Sequence, residues 1–180
     1  MDSEPHSQQK LIEIPTTSGI TLKQFSITDA PVIFNMIDEQ RKRLTQPGVK
    51  AGSNYQTLQD VEQSILNPKN PNKLRFGIWN ESGQYIGTIN LTPDEDNPKR
   101  AVIGYYLGEQ YQGKGYMNKA VKALVSWAFN EDSMKEIYGR VNKGNEEAER
   151  SENVLKRAGF VESGLDNNGE VVFQIQAPTK

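Results

Sequence analysis

Cysteine is absent from the 180-residue sequence, and histidine occurs once, as His6. A chain without cysteine forms no disulfide, no thiolate metal site and no cysteine nucleophile. Because His6 lies in a segment that we expect to be a tail, no Ser-His-Asp triad is available, and one histidine excludes a metal site built from several histidines. Any acid–base chemistry must therefore use carboxylates, tyrosine, lysine, backbone groups or water.

Long apolar runs and a strong charge of one sign are also missing. No stretch of about 18 apolar residues occurs, so we expect no membrane span. The 21 basic and 23 acidic residues give a net charge of −2, which gives no reason to expect nucleic acid or a membrane as partner. The opening segment MDSEPHSQQK lacks the features of a secretory signal. We expect a disordered tail over residues 1–10, one domain over residues 11–180 and a cytoplasmic location.

Apolar periodicity predicts a mixed α+β fold. Alternating segments indicate strands, and apolar residues at steps of three and four indicate helices. Strands are predicted over 11–14, 19–25, 73–79, 84–93, 100–108, 136–142, 160–165 and 170–176. Helices are predicted over 28–44, 57–66, 116–129 and 147–159, and a loop over 45–54.

The most informative segment is EQYQGKGYMNKAVKALVSWAF (Glu109–Phe129), where two glycines precede an amphipathic helix. The first N–H groups of a helix lack internal partners, the helix dipole is positive there, and glycine allows a ligand to approach the backbone closely. Such a turn commonly binds phosphate or diphosphate. The alternative is an ordinary strand-to-helix turn, in which the glycines only allow the backbone to bend tightly.

Two known phosphate-binding motifs fit this turn poorly. In a P-loop the lysine follows the second glycine, whereas here Lys114 lies between the glycines and Tyr116 follows them. The dinucleotide fingerprint requires a third small residue, and Asn118 stands in its place. A nucleotide-binding domain therefore stays open only as a minor alternative.

The segment QYQGKGY (Gln110–Tyr116), which follows the predicted strand IGYYLG, resembles the Gln/Arg-x-x-Gly-x-Gly/Ala signature of the GCN5-related N-acetyltransferases. Further along, Asn145, Ser151 and VLKRAGF resemble another segment of that family. Upstream, FSITDAPVIFNMI, TLQDVEQSI and FGIWNESGQYIGTINL are similar to the branch that acetylates ribosomal-protein N-terminal alanine. The resemblance covers about residues 11–176.

The resemblance implies a central, mostly antiparallel, twisted sheet of about seven strands with about four flanking helices. It also implies acetyl-CoA as co-substrate and a primary amine as acceptor: a protein N-terminus, a polyamine or another small amine. Since cysteine is absent, direct attack of the amine in a ternary complex is the simpler route. A monomer or a homodimer is expected.

By the same resemblance, the diphosphate lies on backbone N–H groups of Gln112–Tyr116, and the pantetheine arm pairs with Tyr105–Gly108. The Leu107 N–H is expected to contact the thioester carbonyl oxygen, and Ser151 to contact the thiol or act as general acid. The expected cofactor-binding residues are Tyr105, Tyr106, Leu107, Gly108, Gln112, Gly113, Lys114, Gly115, Tyr116, Met117, Asn145 and Ser151. Ser151 is alternatively only a polar residue early in a helix.

The chain departs from the family pattern at three points. Six positions separate Asn145 from Ser151, about one helical turn more than the pattern has. Leu155 stands where some relatives carry a tyrosine acid, and Val102 stands where many carry a glutamate base. No general base is assigned, and a catalytically impaired acyl-CoA-binding sensor or interaction module is therefore the alternative function.

Two charged segments have a simple interpretation. DEQRKR (Asp38–Arg43) is predicted to be a solvated helix end rather than part of an acceptor site. The acidic segment Asp94–Asp96 is predicted to be a solvated turn, although it also has the charge to attract a cationic acceptor.

Overall fold

The computed structural model describes residues 10–179, so the predicted tail lies almost wholly outside the described residues. These residues form eight strands and five α-helices. The strands are β1 (Glu13–Pro15), β2 (Ile20–Gln24), β3 (Leu74–Asn80), β4 (Tyr85–Pro93), β5 (Arg100–Leu107), β6 (Glu136–Val141), β7 (Val161–Leu165) and β8 (Val171–Gln176). The helices are α1 (Ala30–Glu39), α2 (Ala51–Asn54), α3 (Leu58–Leu66), α4 (Tyr116–Asn130) and α5 (Glu146–Arg157).

The strands form one sheet in the order β1-β2-β3-β4-β5-β6-β8-β7. Neighbouring strands are antiparallel except for β5 and β6, which are parallel. The mixed α+β fold with a mostly antiparallel sheet is therefore confirmed. The described residues contain one strand and one helix more than the resemblance implied.

The region after α1 differs from the prediction. The first helix ends at Glu39 rather than continuing to residue 44, and a 3₁₀ turn follows over Arg43–Thr45. Inside the predicted loop, the four residues of α2 form one helical turn. The sequence AGSN has no apolar periodicity, so nothing in the pattern indicated this turn.

Helices cover both faces of the sheet. One face packs against α4 and α5, and the other packs under α1, α2 and α3. Successive side chains of a strand point to opposite faces, so each central strand contributes to both cores. The first core includes the fully buried Leu22, Phe76, Ile89, Leu124 and Phe173.

The parallel strands β5 and β6 separate part-way along their length. Arg100, Ala101 and Val102 pair with Glu136, Ile137 and Tyr138, and no further pair between these strands follows within the described residues. Both strands continue, β5 to Leu107 and β6 to Val141. The sheet therefore contains a gap at the carboxyl end of its central strand, and the glycine turn lies beyond this end.

Helix α5 borders the far side of the gap. Asn145 is its N-cap, and the side-chain Oδ1 accepts a hydrogen bond of 2.8 Å from the Ala148 amide. The buried Leu155 packs on Gly139 of β6 so closely that a Cβ atom there would lie 2.8 Å from the leucine side chain. This contact fixes α5 against β6.

No helix within residues 10–179 is long and apolar enough to cross a membrane.

Candidate functional site

The glycine turn presents an open backbone surface at the start of α4. Gly113 and Gly115 have φ angles of 73° and 78°, and a Cβ atom on either would meet no other atom within 4 Å. The first backbone hydrogen bond of α4 runs from the Lys119 amide to the Gly115 carbonyl. The amides of Tyr116, Met117 and Asn118 therefore lack a partner within the helix. Together with the helix dipole, they favour an anion.

The predicted residues of this turn differ in what each offers. The Gln112 amide is already bonded to the Glu109 carbonyl at 3.1 Å, so the free amides begin after it. The Met117 side chain is buried in the core and leaves only its backbone for a ligand. The exposed Lys114 places its Nζ 5.9 Å from the centre of the Tyr111 ring. The turn thus offers mainly backbone groups and one exposed cation.

Leu107 directs its backbone groups into the gap. The Gly108 amide donates to the Ile86 carbonyl at 2.9 Å, and Leu107 pairs with Gly87. In an antiparallel ladder this arrangement makes Leu107 and Gly87 a non-hydrogen-bonded pair, so the N–H and C=O of Leu107 point away from β4. They point towards β6, which has already separated from β5. The role of this N–H towards a thioester stays a prediction.

Tyr105 and Ser151 are joined by their side chains. The Tyr105 hydroxyl lies 3.1 Å from Ser151 Oγ and donates to the Ser151 carbonyl at 3.2 Å. Burial raises the pKa of Tyr105 to about 12, although the hydrogen bond with Ser151 lowers it. The phenol is therefore neutral at physiological pH. Ser151 lies in the second turn of α5 rather than at its start, and it faces the central strand.

Tyr106 extends to the opposite face of the sheet. Its hydroxyl lies 3.2 Å from Thr88 Oγ1 and 3.4 Å from the Tyr85 hydroxyl, under α1 and α3. Burial is the main cause that raises the pKa of Tyr106. Because Tyr106 pairs with Thr88 at the hydrogen-bonded position next to the Leu107–Gly87 pair, its backbone N–H and C=O face β4, and neither its side chain nor these groups point into the gap. Gly108 is buried directly after β5, where its amide donates to the Ile86 carbonyl and its carbonyl accepts from the Tyr111 amide.

The positions where the sequence departs from the family pattern are now explained in part. Asn145 is used as a helix cap, and the extra residues form the first turn of α5. Leu155 is buried in the core and contributes no proton donor. Val102 lies at the last paired position before β5 and β6 separate, and it contributes no carboxylate there.

Sequence reasoning missed a polar cluster that joins the α1 end to the site. Gln40 Oε1 accepts hydrogen bonds from the Glu109 amide and from Arg43 Nη2, and its Nε2 donates to Gln110. Arg43 Nη2 also donates to the Leu107 carbonyl at 2.6 Å. The prediction of a solvated helix end is therefore wrong for Arg43, whose side chain is only 17 % exposed. Its main partner is 64 positions away, so no local pattern indicated the contact.

A second part of this cluster comes from the first turns of α5. Glu147 lies 3.7 Å from Arg43 Nη1 and 3.4 Å from Gln112 Nε2. Arg150 donates to Gln112 Oε1 at 2.6 Å and to Glu147 Oε1 at 3.3 Å. Arg43 and Glu147 line a cleft of about 500 Å³ between the end of α1 and the start of α5. Asn145 also lines this cleft.

The acidic segment after β4 is only partly solvated. Asp94 binds Arg100 at 2.7 Å and accepts a hydrogen bond of 2.8 Å from the Tyr138 hydroxyl. Glu95 and Asp96 are exposed, as predicted. Asp94 therefore belongs to the connection between β4, β5 and β6, at the end of the gap that is far from the glycine turn.

The sequence also matches a known protein family. The sequence model of the Acetyltransferase (GNAT) domain matches residues 20–161, which is most of the chain. The chain belongs to the GNAT family. Membership makes the protein an acetyl-CoA-dependent N-acetyltransferase, and the predicted co-substrate is thereby confirmed.

Individual relatives are distant but cover most of this GNAT domain. A probable N-acetyltransferase of Bacillus subtilis, YjcK, is 28 % identical over 152 residues, covering 81 % of this chain and 82 % of the relative. RimL, a ribosomal-protein acetyltransferase solved in complex with coenzyme A, has a TM-score of 0.79 and 17 % identity, covering 92 % and 98 % of the two chains. A microcin C7 self-immunity acetyltransferase, solved with acetyl-CoA and AMP, has a TM-score of 0.74 and 22 % identity, covering 89 % and 93 %. The two structural likenesses show the fold.

The residues of this GNAT domain fit its co-substrate. A diphosphate requires an open set of amides, and the turn at Gly113 and Gly115 provides it. The Nε atom of Arg43 is buried without a hydrogen-bond partner within the described residues. Such an atom is costly unless a ligand or water satisfies it. Both features lie along the same edge, from Leu107 to the start of α4.

Proposed function

We propose that this GNAT domain, residues 11–180, transfers an acetyl group from acetyl-CoA to a primary amine by direct attack in a ternary complex. The acceptor is a protein N-terminus, a polyamine or another small amine. The observation that carries the proposal is the gap between β5 and β6. It exposes the Leu107 backbone edge and leads to the open amides of the glycine turn.

The backbone of this edge supplies binding and polarisation. Acetyl-CoA supplies the acetyl group as an activated thioester. The amides of Gly113–Tyr116 bind the diphosphate, while Tyr105–Gly108 align the pantetheine arm along the gap. The Leu107 N–H polarises the thioester carbonyl oxygen, a kind of interaction that is strong in a site from which water is excluded. Fixed orientation of the two substrates contributes a further part of the acceleration.

Ser151 is the side chain proposed to meet the sulfur. Its Oγ lies beside the gap and is held by the Tyr105 hydroxyl at 3.1 Å. In the transfer, the bond from the amine nitrogen to the acetyl carbon forms and the carbon–sulfur bond breaks. The amine gives up a proton and the departing thiolate gains one: Ser151 passes its hydroxyl proton to that sulfur and regains a proton from water, so the serine is unchanged at the end of the transfer. Since Val102 provides no carboxylate, water accepts the amine proton.

The relatives support an amine acceptor. RimL is by name a ribosomal-protein acetyltransferase, and YjcK is by name a probable N-acetyltransferase. The absence of cysteine removes the usual nucleophile for a covalent acetyl-enzyme. Direct attack therefore requires the fewest groups.

A second candidate is an acyl-CoA-binding sensor that has lost catalysis. The observation that favours it is the pair of substitutions near the gap, since neither Val102 nor the buried Leu155 can exchange a proton. Such a protein binds the cofactor with the same backbone groups but gives no turnover. Binding and turnover must therefore be measured separately.

The first test is a calorimetric titration with acetyl-CoA, with ATP as the comparison ligand. We expect saturable binding of acetyl-CoA and no binding of ATP. Thiol release is then followed with a panel of N-terminal peptides, polyamines and small amines. Turnover with one class supports the transferase, while binding without turnover on any amine supports the sensor. Binding of ATP instead of acetyl-CoA contradicts both.

A further inference from the structure

The additional turn of α5 brings a carboxylate to the place where the glycine turn begins. Glu147 contacts Gln112, the residue directly before Gly113, at 3.4 Å. The same carboxylate lies 3.7 Å from Arg43 Nη1 and 3.3 Å from Arg150 Nη1. Two guanidinium groups and an amide therefore surround one carboxylate at the border of the free amides.

The two arginines come from different parts of the chain. Arg43 follows α1 and is anchored by its bonds to Gln40 and to the Leu107 carbonyl. Arg150 lies on α5, with a side chain that is 53 % exposed. Glu147 links these two elements across the cleft. Without the extra turn, the carboxylate of Glu147 would be absent from this position.

Not every guanidinium donor in this cluster has a partner. Glu147 lies between two guanidinium groups, of which Arg150 also contacts Glu146 at 3.4 Å, whereas Arg43 Nε has no partner within the described residues. Guanidinium groups bind carboxylates and phosphates through the same forked geometry. A diphosphate carries more charge than a carboxylate, so it is the stronger partner for the same donors.

We propose that Glu147 is a built-in competitor of the cofactor diphosphate, and that Arg43 and Arg150 exchange its carboxylate for the diphosphate when the cofactor binds. The proposal rests on the proposed function, since it assumes that the diphosphate lies at the glycine turn. It assigns two cofactor-binding cations that the signature motif does not contain. It also gives the extra turn of α5 a role in setting cofactor affinity.

The test compares Glu147→Gln with Glu149→Gln by calorimetric titration of the full chain with coenzyme A. Both substitutions remove one negative charge from the same helical turn, but the Glu149 side chain is exposed on that turn. Glu147→Gln is expected to bind coenzyme A about three- to five-fold more tightly, and Glu149→Gln about as the wild type does. Equal changes in both variants, or weaker binding by Glu147→Gln, would overturn the competition.

A second arm tests the cations and the part of the ligand that they recognise. Arg150→Gln is expected to bind coenzyme A about three- to five-fold more weakly than the wild type. The double variant, which carries Glu147→Gln and Arg150→Gln, should lose most of the affinity that Glu147→Gln gains alone. Acetyl-pantetheine, which has no phosphate, should bind all of these variants equally. An effect on acetyl-pantetheine of the same size would overturn the assignment to the diphosphate.

The outcomes also separate this proposal from the proposed function. If the wild type binds coenzyme A but the variants do not differ as stated, only the competition by Glu147 is wrong. If the wild type binds no coenzyme A, both proposals are wrong. Thermal denaturation without ligand shows whether Glu147→Gln is folded, because a purely structural link would give a lower melting temperature together with weaker binding.

Discussion

The hydroxyl of Tyr105 connects the central strand to α5 at the gap, and its ionisation has a measurable consequence. An unfolded tyrosine has a pKa of about 10, whereas burial raises the folded pKa to about 12. Between these values the unfolded state has lost the proton and the folded state retains it. The stability from this residue is therefore complete below about pH 10 and is lost as the pH rises towards about 12.

Tyr105→Phe should reduce the loss of stability with rising pH. The variant removes one ionisable group, so its free energy of unfolding should fall less steeply between about pH 10 and 12 than that of the wild type. Urea unfolding across this range measures the slope. The difference at pH 8, where the phenol is neutral in both states, gives the pH-independent cost of the missing hydroxyl. Parallel curves for the two proteins would contradict the raised pKa.

Ser151, the partner of Tyr105, allows a test of catalysis. Ser151→Ala should lower kcat by about ten- to hundred-fold, because a proton donor to the sulfur is lost, while the KM for acetyl-CoA stays close to that of the wild type. Ser126→Ala, an exposed substitution on α4, is the matched control. If Ser151→Ala retains full turnover, the residue is only a polar side chain that positions Tyr105.

At the residue scale, the sequence predicted some side chains better than others. The capping box at Thr57 and Asp60 is the kind of contact that a sequence reveals, because its partners lie within four positions of one another. The contacts of Arg43 with Leu107 and of Glu147 with Gln112 were missed because they join distant segments. A charged run looks the same in sequence whether it faces solvent or a site.

The glycine turn is the element on which cofactor binding depends. Gly113→Glu places a carboxylate at the open position, where it should repel the diphosphate. We expect no detectable acetyl-CoA binding at concentrations that saturate the wild type, with the fold retained. Calorimetry and circular dichroism measure the two properties.

The control for this substitution is Gly169→Glu. Gly169 has a φ angle of 78° and open space around it, like Gly113, but it lies in the turn between β7 and β8. Both substitutions therefore carry a similar backbone strain, of the order of 1 kcal/mol. Wild-type affinity in Gly113→Glu would show that the turn does not bind the cofactor.

The start of α5 offers a second test at the scale of an element. Asn145 caps the helix through the Ala148 amide. Asn145→Ala should lower the free energy of unfolding by about 1 kcal/mol, whereas Asn145→Asp should retain the cap. Urea unfolding measures both. If Asn145→Ala keeps its stability and loses acetyl-CoA affinity, the residue is a ligand, as the resemblance implied.

Elements were predictable where one pattern specified them. The stripe of α4, the hairpin of β3 and β4, and the alternation in β8 all follow from local periodicity. The end of α1 was not predictable in this way. Its next turn is replaced by contacts of Arg41 with the Gly52 and Tyr55 carbonyls and of Arg43 with Leu107. Tertiary hydrogen bonds there override helix propensity.

At the scale of the whole molecule, the gap divides the sheet into two parts that share three residue pairs between β5 and β6. Arg100 reinforces this short connection. It binds Glu136 on β6 and Asp94 after β4, and its guanidinium carbon lies 3.9 Å from the centre of the Tyr138 ring. The connection is thus concentrated at the end of the gap opposite the glycine turn.

Arg100→Met should therefore weaken the molecule without weakening the cofactor site. Removing two ion pairs and a cation–π contact that are only partly exposed should lower the free energy of unfolding by about 1–2 kcal/mol. Acetyl-CoA affinity should stay unchanged, because the free amides lie at the other end of β5. Arg140→Met, which removes a more exposed arginine from the neighbouring strand, should cost less than about 0.5 kcal/mol. Urea unfolding and calorimetry on both variants measure the two effects. A loss of acetyl-CoA affinity in Arg100→Met would mean that the pairing of β5 with β6 influences the cofactor site at the other end of β5.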